Sequence, residues 1–141
     1  MGKINLGKVI VGGVAAGAVM NVIDYVINGI VLKADFAAVS LARNIPPELR
    51  MAGNTIATMV LLDFAMAFLI VLTYAAIRPR FGPGPKTAVI AALLIGLSCN
   101  VLAGYFAASG FFGWDLWEKA SVLSTANFVF SGLIGGALYQ E

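Results

Sequence analysis

The sequence has little of what metal and redox chemistry requires. It has no histidine, and its single cysteine is Cys99. Haem, iron–sulfur and zinc sites need several such ligands, so one copy of this chain cannot assemble them. The same counts exclude an internal disulfide, a thiol–disulfide relay and histidine-based acid–base catalysis. We therefore expect no cofactor and no metal site.

Charged residues are also scarce. They make up 11% of the 141 residues, while 60% are hydrophobic. Soluble domains carry roughly 25% charged residues, and a chain this short cannot bury so much apolar surface in its own core. Lipid is therefore the expected solvent. The net charge of +2 is too small to favour nucleic acid as a partner. The length predicts one domain over residues 1–141.

Four apolar stretches reach the length that crosses a bilayer, which is about 20 residues. Because backbone polar groups in lipid must pair internally, we predict four helices. The expected fold class is an all-α membrane protein, a four-transmembrane-helix bundle. The first stretch follows Lys3 and Lys8, as in a signal peptide, but it continues too far past Ala18 and is interpreted as a span. The spans are predicted at residues 9–32, 56–77, 88–108 and 120–139.

The distribution of cations predicts the orientation. Loops rich in Lys and Arg stay in the cytoplasm. Lys3 and Lys8 precede the first span, and the segment 78–86 carries three cations and no acid. Both lie on one side of the predicted bundle, so both termini are expected in the cytoplasm. On the opposite side, the spacing of apolar residues in 33–43 predicts an amphipathic helix along the membrane surface.

Prolines set the ends of two helices. Proline fixes its own φ, lacks an N–H and moves the preceding residue away from helical geometry. Residues 79, 83 and 85 are all proline. We therefore predict that helix two ends near Ile77 and that helix three begins no earlier than Pro85.

Each span contains an amide or acid at a similar depth. At a rise of 1.5 Å per residue, Asn21, Asp63, Asn100 and Asn127 each lie roughly 20 Å from the cytoplasmic end. Polar side chains within a span normally face the bundle interior. We therefore predict that these four converge in one polar layer. In helix one, Asp24 and Asn28 share a face with Asn21 and extend the layer outward.

The two acids differ from the amides in what they imply. No Lys or Arg lies within a span to neutralise Asp24 or Asp63. The acids are either protonated, in contact with water or a bound cation, or paired with another chain. Asparagines often join helices in membrane bundles, whereas intramembrane carboxyls are rare and favour a functional role. Thr58 and Ser98 are expected to line the same interior.

The two halves of the chain look like weak copies of one hairpin. Asn21-Val22 and Asn100-Val101 lie in helices one and three, and Asp63-Phe64 and Asn127-Phe128 lie in helices two and four. A repeat of two spans keeps its orientation, so its pseudo-axis runs along the membrane normal. The spacings between other matching residues are unequal, which leaves chance as the alternative.

Small and aromatic residues indicate contact surfaces. Gly13 and Gly17 are four residues apart in helix one, and Gly132 and Gly136 are four apart in helix four. Such pairs let helices approach closely, either between helices one and four or between copies of the chain. Trp114 and Trp117 follow helix three and are typical of anchors at the membrane surface. An outer lid or a surface for a partner is the alternative.

Two segments of the sequence resemble those of bacterial membrane proteins. The run Tyr-Ala-Ala-Ile-Arg-Pro-Arg-Phe-Gly-Pro-Gly-Pro-Lys at residues 74–86 resembles a loop of uncharacterised small four-span bacterial membrane proteins. The opening of helix one, from Gly12 and Gly13 through Asn21 and Asn28, is also similar to theirs. In those relatives the position matching Asp24 is often acidic. The resemblance implies the bacterial inner membrane and no particular activity.

Three classes of function follow from these observations. The first is a bundle that binds or conducts a small molecule, a lipid-like ligand or a cation at the polar layer. The second is a non-catalytic accessory subunit of a larger membrane complex. The third is an enzyme that uses two carboxyls, Asp24 and Asp63, for acid–base chemistry, and it has the least support. Expected partners are membrane lipids and either a second copy or another subunit.

Overall fold

The structure, a computed structural model, describes residues 4–50 and 52–139. Within these ranges the chain is helical and contains no β-strand. The helices are α1 (Leu6–Val26), α2 (Lys33–Ala42), α3 (Pro47–Arg50), α4 (Gly53–Phe81), α5 (Pro85–Ala108) and α6 (Trp114–Leu138), and a π-helical turn, Ile27–Val31, continues α1.

Four helices are long and apolar enough to cross a membrane, which makes the chain a multi-pass membrane protein. The predicted four-helix bundle is confirmed. The largest difference in span bounds concerns α6, which begins at Trp114 rather than at residue 120. Its first turns are aromatic and charged, so hydropathy excludes them although they are helical. The spans are Leu6–Val31, Gly53–Phe81, Pro85–Ala108 and Trp114–Leu138.

The turn between α4 and α5 agrees only in part with the proline pattern. The predicted end of helix two near Ile77 is wrong, because α4 continues through Pro79 to Phe81. A proline this close to a helix end removes only one hydrogen bond. The helix stops at Gly82, whose φ of 83° is left-handed and whose N–H bonds the Arg78 carbonyl at 2.8 Å. As predicted, α5 begins no earlier than Pro85; it starts at this residue, where an N–H would have no intrahelical partner, so proline loses no hydrogen bond.

Two tyrosines, one before the α4–α5 turn and one after α6, connect this turn to the segments before α1 and after α6 at one end of the bundle. The Asn5 N–H donates to the Tyr139 hydroxyl at 3.0 Å, and the Gly84 N–H donates to the Tyr74 hydroxyl at 3.2 Å. The two rings meet edge to face with centroids 5.9 Å apart. We call this the basic end and the opposite one the α2 end. That the basic end faces the cytoplasm stays a prediction, and Lys3 lies outside the described residues.

The spanning helices form a ring in the order α1, α4, α5, α6, and α4 also contacts α6 across the centre. Close contact depends on glycine. A Cβ on Gly12 would lie 2.7 Å from the Gly135 carbonyl oxygen, and one on Gly135 would lie 3.2 Å from the Gly12 oxygen. This reciprocal contact lets α1 and α6 touch backbone to backbone. The core around it is made of mainly small side chains, including Ala16, Ala67, Ile70, Val71, Ala91 and Ala92.

The two hairpins, α1–α4 and α5–α6, pack in the same register. The Phe64 ring covers Gly17, and the Phe128 ring covers Gly96. Each glycine lies four residues before the asparagine of its helix, and each phenylalanine directly follows the acid or amide of its helix. Contacts between the hairpin helices therefore match the predicted repeat, and Asp63 and Asn127 occupy equivalent positions.

The glycines predicted as an interface lie inside the chain. Gly13 and Gly17 face the rings of α4, while a Cβ on Gly132 or Gly136 would lie 2.8 or 2.9 Å from an alanine of α5. All four are buried, so they do not offer a surface to a second copy. The contact between α1 and α6 is instead made one residue away, at Gly12 and Gly135, because each motif faces its own hairpin partner.

The helix predicted at residues 33–43 is present as α2, and its place along the membrane surface stays a prediction. Leu32 is buried together with Ile27 and Leu116, and Phe36 and Val39 pack against this cluster. Near its start α2 is tied to α6 by an ion pair between Lys119 Nζ and Asp35 Oδ1 at 2.8 Å. The apolar side of α2 thus closes over the adjoining ends of α1 and α6.

Candidate functional site

Asp24 is the centre of a polar group between α1 and α6. Its Oδ2 accepts a hydrogen bond from Asn28 Nδ2 at 2.8 Å, and its Oδ1 accepts one from Asn127 Nδ2 at 3.4 Å. Asn28 belongs to the π-helical turn, where the Leu32 N–H reaches back five residues to the Ile27 carbonyl at 2.7 Å. Such wider turns are frequent at functional sites. Both oxygens of this carboxyl are therefore held by amides.

Asn127 completes this group from α6 and is almost fully buried, with 3% of its surface exposed. Besides Asp24, its Nδ2 donates to the Met20 carbonyl at 3.1 Å, and its Oδ1 accepts from Ser131 Oγ at 3.1 Å. Buried amides are expected to satisfy both ends in this way. This asparagine therefore joins α6 to α1 and fixes the position of Asp24.

Asp63 occupies the equivalent position in the first hairpin but is not satisfied in this way. It lies on the same face of α4 as Ala67 and Ile70, which are fully buried. Its carboxyl is half-buried and makes no hydrogen bond or ion pair with any described residue. It does interact electrostatically with Asp24. The carboxyl thus points into the membrane-spanning part of the bundle with its oxygens uncommitted.

The burial of α4 and α5 differs between the two halves of the bundle. Every residue from 53 to 66 of α4 is described, and none is buried; the same holds for residues 97–106 of α5. Nearer the basic end both helices contribute fully buried residues, such as Ile70 and Ala92. The bundle is therefore closely packed in its basic half and loosely packed between α4 and α5 in its other half, where Asp63 lies.

Asn100 belongs to a separate group between α5 and α6. Its Nδ2 donates to Thr125 Oγ1 at 2.8 Å and to the Ser121 carbonyl at 3.2 Å, and its Oδ1 accepts from Ser124 Oγ at 3.1 Å. Its carbonyl accepts from Trp117 Nε1 at 3.0 Å. The amide is fully used within its hairpin and serves to hold α5 against α6.

Asn21 has a similar role in the other hairpin. Its Nδ2 donates to the Gly17 carbonyl at 2.9 Å and to the Val60 carbonyl of α4 at 3.4 Å. The donor is therefore directed along α1 and toward α4, away from the group around Asp24. Asn21 and Asn100 each fasten the two helices of one hairpin.

The predicted convergence of four residues in one layer is therefore wrong. Asn127 and Asn28 bond Asp24, and Asp63 is near enough to interact with Asp24 electrostatically, but the amides of Asn21 and Asn100 are turned to their hairpin partners. Thr58 and Ser98 do not line the interior either. Both are exposed, and their hydroxyls donate to carbonyls of their own helices, those of Asn54 and Leu94.

The tryptophans also differ from the prediction of a loop anchor. Both lie in the first turns of α6 with rings edge to face and centroids 5.4 Å apart. Trp114 is 53% exposed, as an anchor requires, whereas Trp117 is half-buried and bonded to α5. Sequence reasoning missed the hydroxyls that satisfy the asparagines. The sequence feature that could have indicated them is a polar face on α6, formed by Ser121, Ser124, Thr125 and Ser131.

The side chains that could bind a ligand here are carboxyls and amides. Among the described residues no group of three or more His, Cys, Asp or Glu could hold a metal ion. Neither Asp24 nor Asp63 forms an ion pair with a Lys or Arg of the described part of the chain. One carboxyl held by amides and a second without a hydrogen-bond partner among the described residues therefore form an acidic site of two carboxyls.

Comparisons with family models, with curated proteins and with solved structures find no match to this chain. The resemblance at residues 74–86 therefore stays a prediction.

Proposed function

We propose that this multi-pass protein binds or conducts a small ligand at the polar group formed by Asp24, Asn28, Asp63 and Asn127. Of a small molecule, a lipid-like molecule and a cation, a monovalent cation or a protonated amine is favoured by the charge of the site. The observation that carries the proposal is Asp63, an uncommitted carboxyl at the position where the other hairpin has a fully bonded asparagine. Intramembrane carboxyls are expensive and usually functional.

The two acids have different roles in this proposal. Asp24 is an acceptor for two amides and keeps a fixed place between α1 and α6. Asp63 has no such bonds to lose and lies where the bundle is loosely packed, so it is the carboxyl that contacts the ligand. The bacterial inner membrane, with the basic end in the cytoplasm, is the proposed location, based on the cations of residues 78–86 and on their resemblance to bacterial proteins.

Replacing Asp63 by Asn tests the proposal. The fold should tolerate the amide, because Asn127 occupies the equivalent position. Binding and vesicle uptake of rubidium and methylammonium should fall at least about tenfold, the effect of losing one charge-assisted contact. Asp115→Asn, a change of the same charge at an exposed residue, is the control. Unchanged binding together with a lower melting temperature would assign Asp63 to stability and refute the proposal.

An accessory subunit is the second candidate, and one surface favours it. The outward side of α5 has a groove of about 550 Å³ away from the polar group. A helix of another membrane protein could pack there with its side chains between those of α5. Purification in mild detergent should then recover a partner chain, and a stable monodisperse monomer counts against it. The groove is lined by Ile90, Leu93, Leu94, Leu97, Ser98 and Val101.

A further inference from the structure

A crevice of about 760 Å³ lies at the α2 end, between the C-terminal half of α2 and the α5–α6 connection. Its floor consists of small side chains, with Ala38 and Ala42 one helical turn apart on α2 and Ala107 on α5. Phe111 and Trp114 stand at its rim, and Arg43 provides its charge. The volume falls within the range of sites for organic ligands, about 300–1,000 Å³.

Arg43 is placed to receive an anion. Its Nη2 donates to the Gly110 carbonyl, and its guanidinium lies over the Phe111 ring, 4.9 Å from the centroid. These two contacts hold the side chain at the crevice. Arginine has five N–H donors, and among the described residues only the bond to Gly110 uses one. No residue that lines the crevice is acidic.

The residues around the crevice favour a lipid phosphate as the anion. Aromatic residues concentrate at the level of the lipid headgroups, and the exposed rings of Phe111 and Trp114 lie between the end of α5 and the start of α6. A smooth apolar floor below a cation matches a molecule with a phosphate above an acyl chain. Guanidinium groups bind phosphate through paired hydrogen bonds.

We propose that this crevice binds one phospholipid, with its phosphodiester on Arg43 and an acyl chain along Ala38, Ala42 and Ala107. The site is independent of the polar group at Asp24 and Asp63. Two contacts hold α2 in place: the ion pair of Asp35 with Lys119 near its start, and the bond of Arg43 to Gly110 at its end. The bound lipid would add a third support for α2.

Native mass spectrometry of the full chain in detergent tests the site. Dioleoylphosphatidylglycerol is the probe, and dioleoylglycerol, with the same chains and no phosphate, is its control. The wild type should retain one phosphatidylglycerol and bind it at least about tenfold more tightly than the diacylglycerol. Arg43→Gln should remove this preference, and Arg80→Gln, at an exposed arginine of the basic end, should keep it.

The acyl part of the site has its own pair of variants. Ala42→Phe fills the crevice and should abolish retention of the lipid, whereas Ala37→Phe changes an exposed alanine of α2 outside the crevice and should not. If Ala42→Phe yields little folded protein, Arg43→Gln decides the matter, because it fills no space. Equal affinity for diacylglycerol refutes the phosphate contact. Displacement of the lipid by inorganic phosphate at equal affinity refutes the acyl contact.

Discussion

The contact between α1 and α6 can be tested by adding a single methyl group. In Gly12→Ala the new Cβ would lie 2.7 Å from the Gly135 carbonyl oxygen and 3.2 Å from Val71 Cγ1. The first of these neighbours is backbone and cannot rotate away, so the two helices must separate. Overpacking of this kind costs about 1–3 kcal/mol, and the gain in helix propensity from Gly to Ala returns about 0.5–1 kcal/mol. A net loss of about 1 kcal/mol is expected, and of at most about 2.5 kcal/mol.

Unfolding of the purified protein in mild detergent by increasing fractions of dodecyl sulfate measures this loss. Gly53→Ala is the matched control, since a Cβ there has no neighbour within 4 Å, and its stability should stay the same or rise slightly. Gly135→Ala should also destabilise, because its Cβ would lie 2.4 Å from Val71 Cγ2. The double variant should lose less than the sum, because one separation relieves both contacts. If Gly12→Ala unfolds like Gly53→Ala, the close contact is not there.

Two further outcomes concern polar contacts. Asn127→Ala removes the buried donor to the Met20 carbonyl and to Asp24 Oδ1, and the acceptor of Ser131 Oγ, and should cost about 1–3 kcal/mol in the same assay. Asn21→Ala, at a half-buried site, should cost less, and equal losses would contradict the assigned burial. Asp35→Asn breaks an ion pair whose side chains are 30% and 54% exposed, so it should cost under about 1 kcal/mol and less still in high salt. A larger, salt-independent loss would show that α2 depends on this pair.

Hydropathy was enough to predict the four spans. The dipeptides Asn-Val in helices one and three, and Asp-Phe and Asn-Phe in helices two and four, indicated the repeat. Both signals are local: a run of apolar residues has one stable state in lipid, and the same packing pattern recurs in both hairpins. The register itself depends on glycines under phenylalanine rings. Gly17 could be noticed in the sequence, but only the structure shows that Gly96 is its counterpart.

The polar layer was predicted less well, because sequence position gives depth but not the neighbour that a side chain faces. Asn21 and Asn100 were predicted at the depth of Asp63, yet their amides bond backbone carbonyls of their own hairpins, those of Val60 and Ser121. Carbonyl positions depend on the crossing of two helices, which no residue type reveals. Asp24 and Asn28 were predicted to share one helical face, and because they lie one turn apart on it, their side chains bond in the structure.

The uneven packing along the bundle determines where the protein can deform. Fully buried small residues hold the four helices together near the basic end, whereas no residue of α4 from 53 to 66 is fully buried. Regions with few buried contacts open at lower free energy than the core. Thermal motion of α4 and α5 should therefore be smallest near the basic end and grow along these two helices toward the opposite end. A ligand at Asp63 would bind within the sparsely buried segment of α4, where a small change in binding energy displaces the helix most.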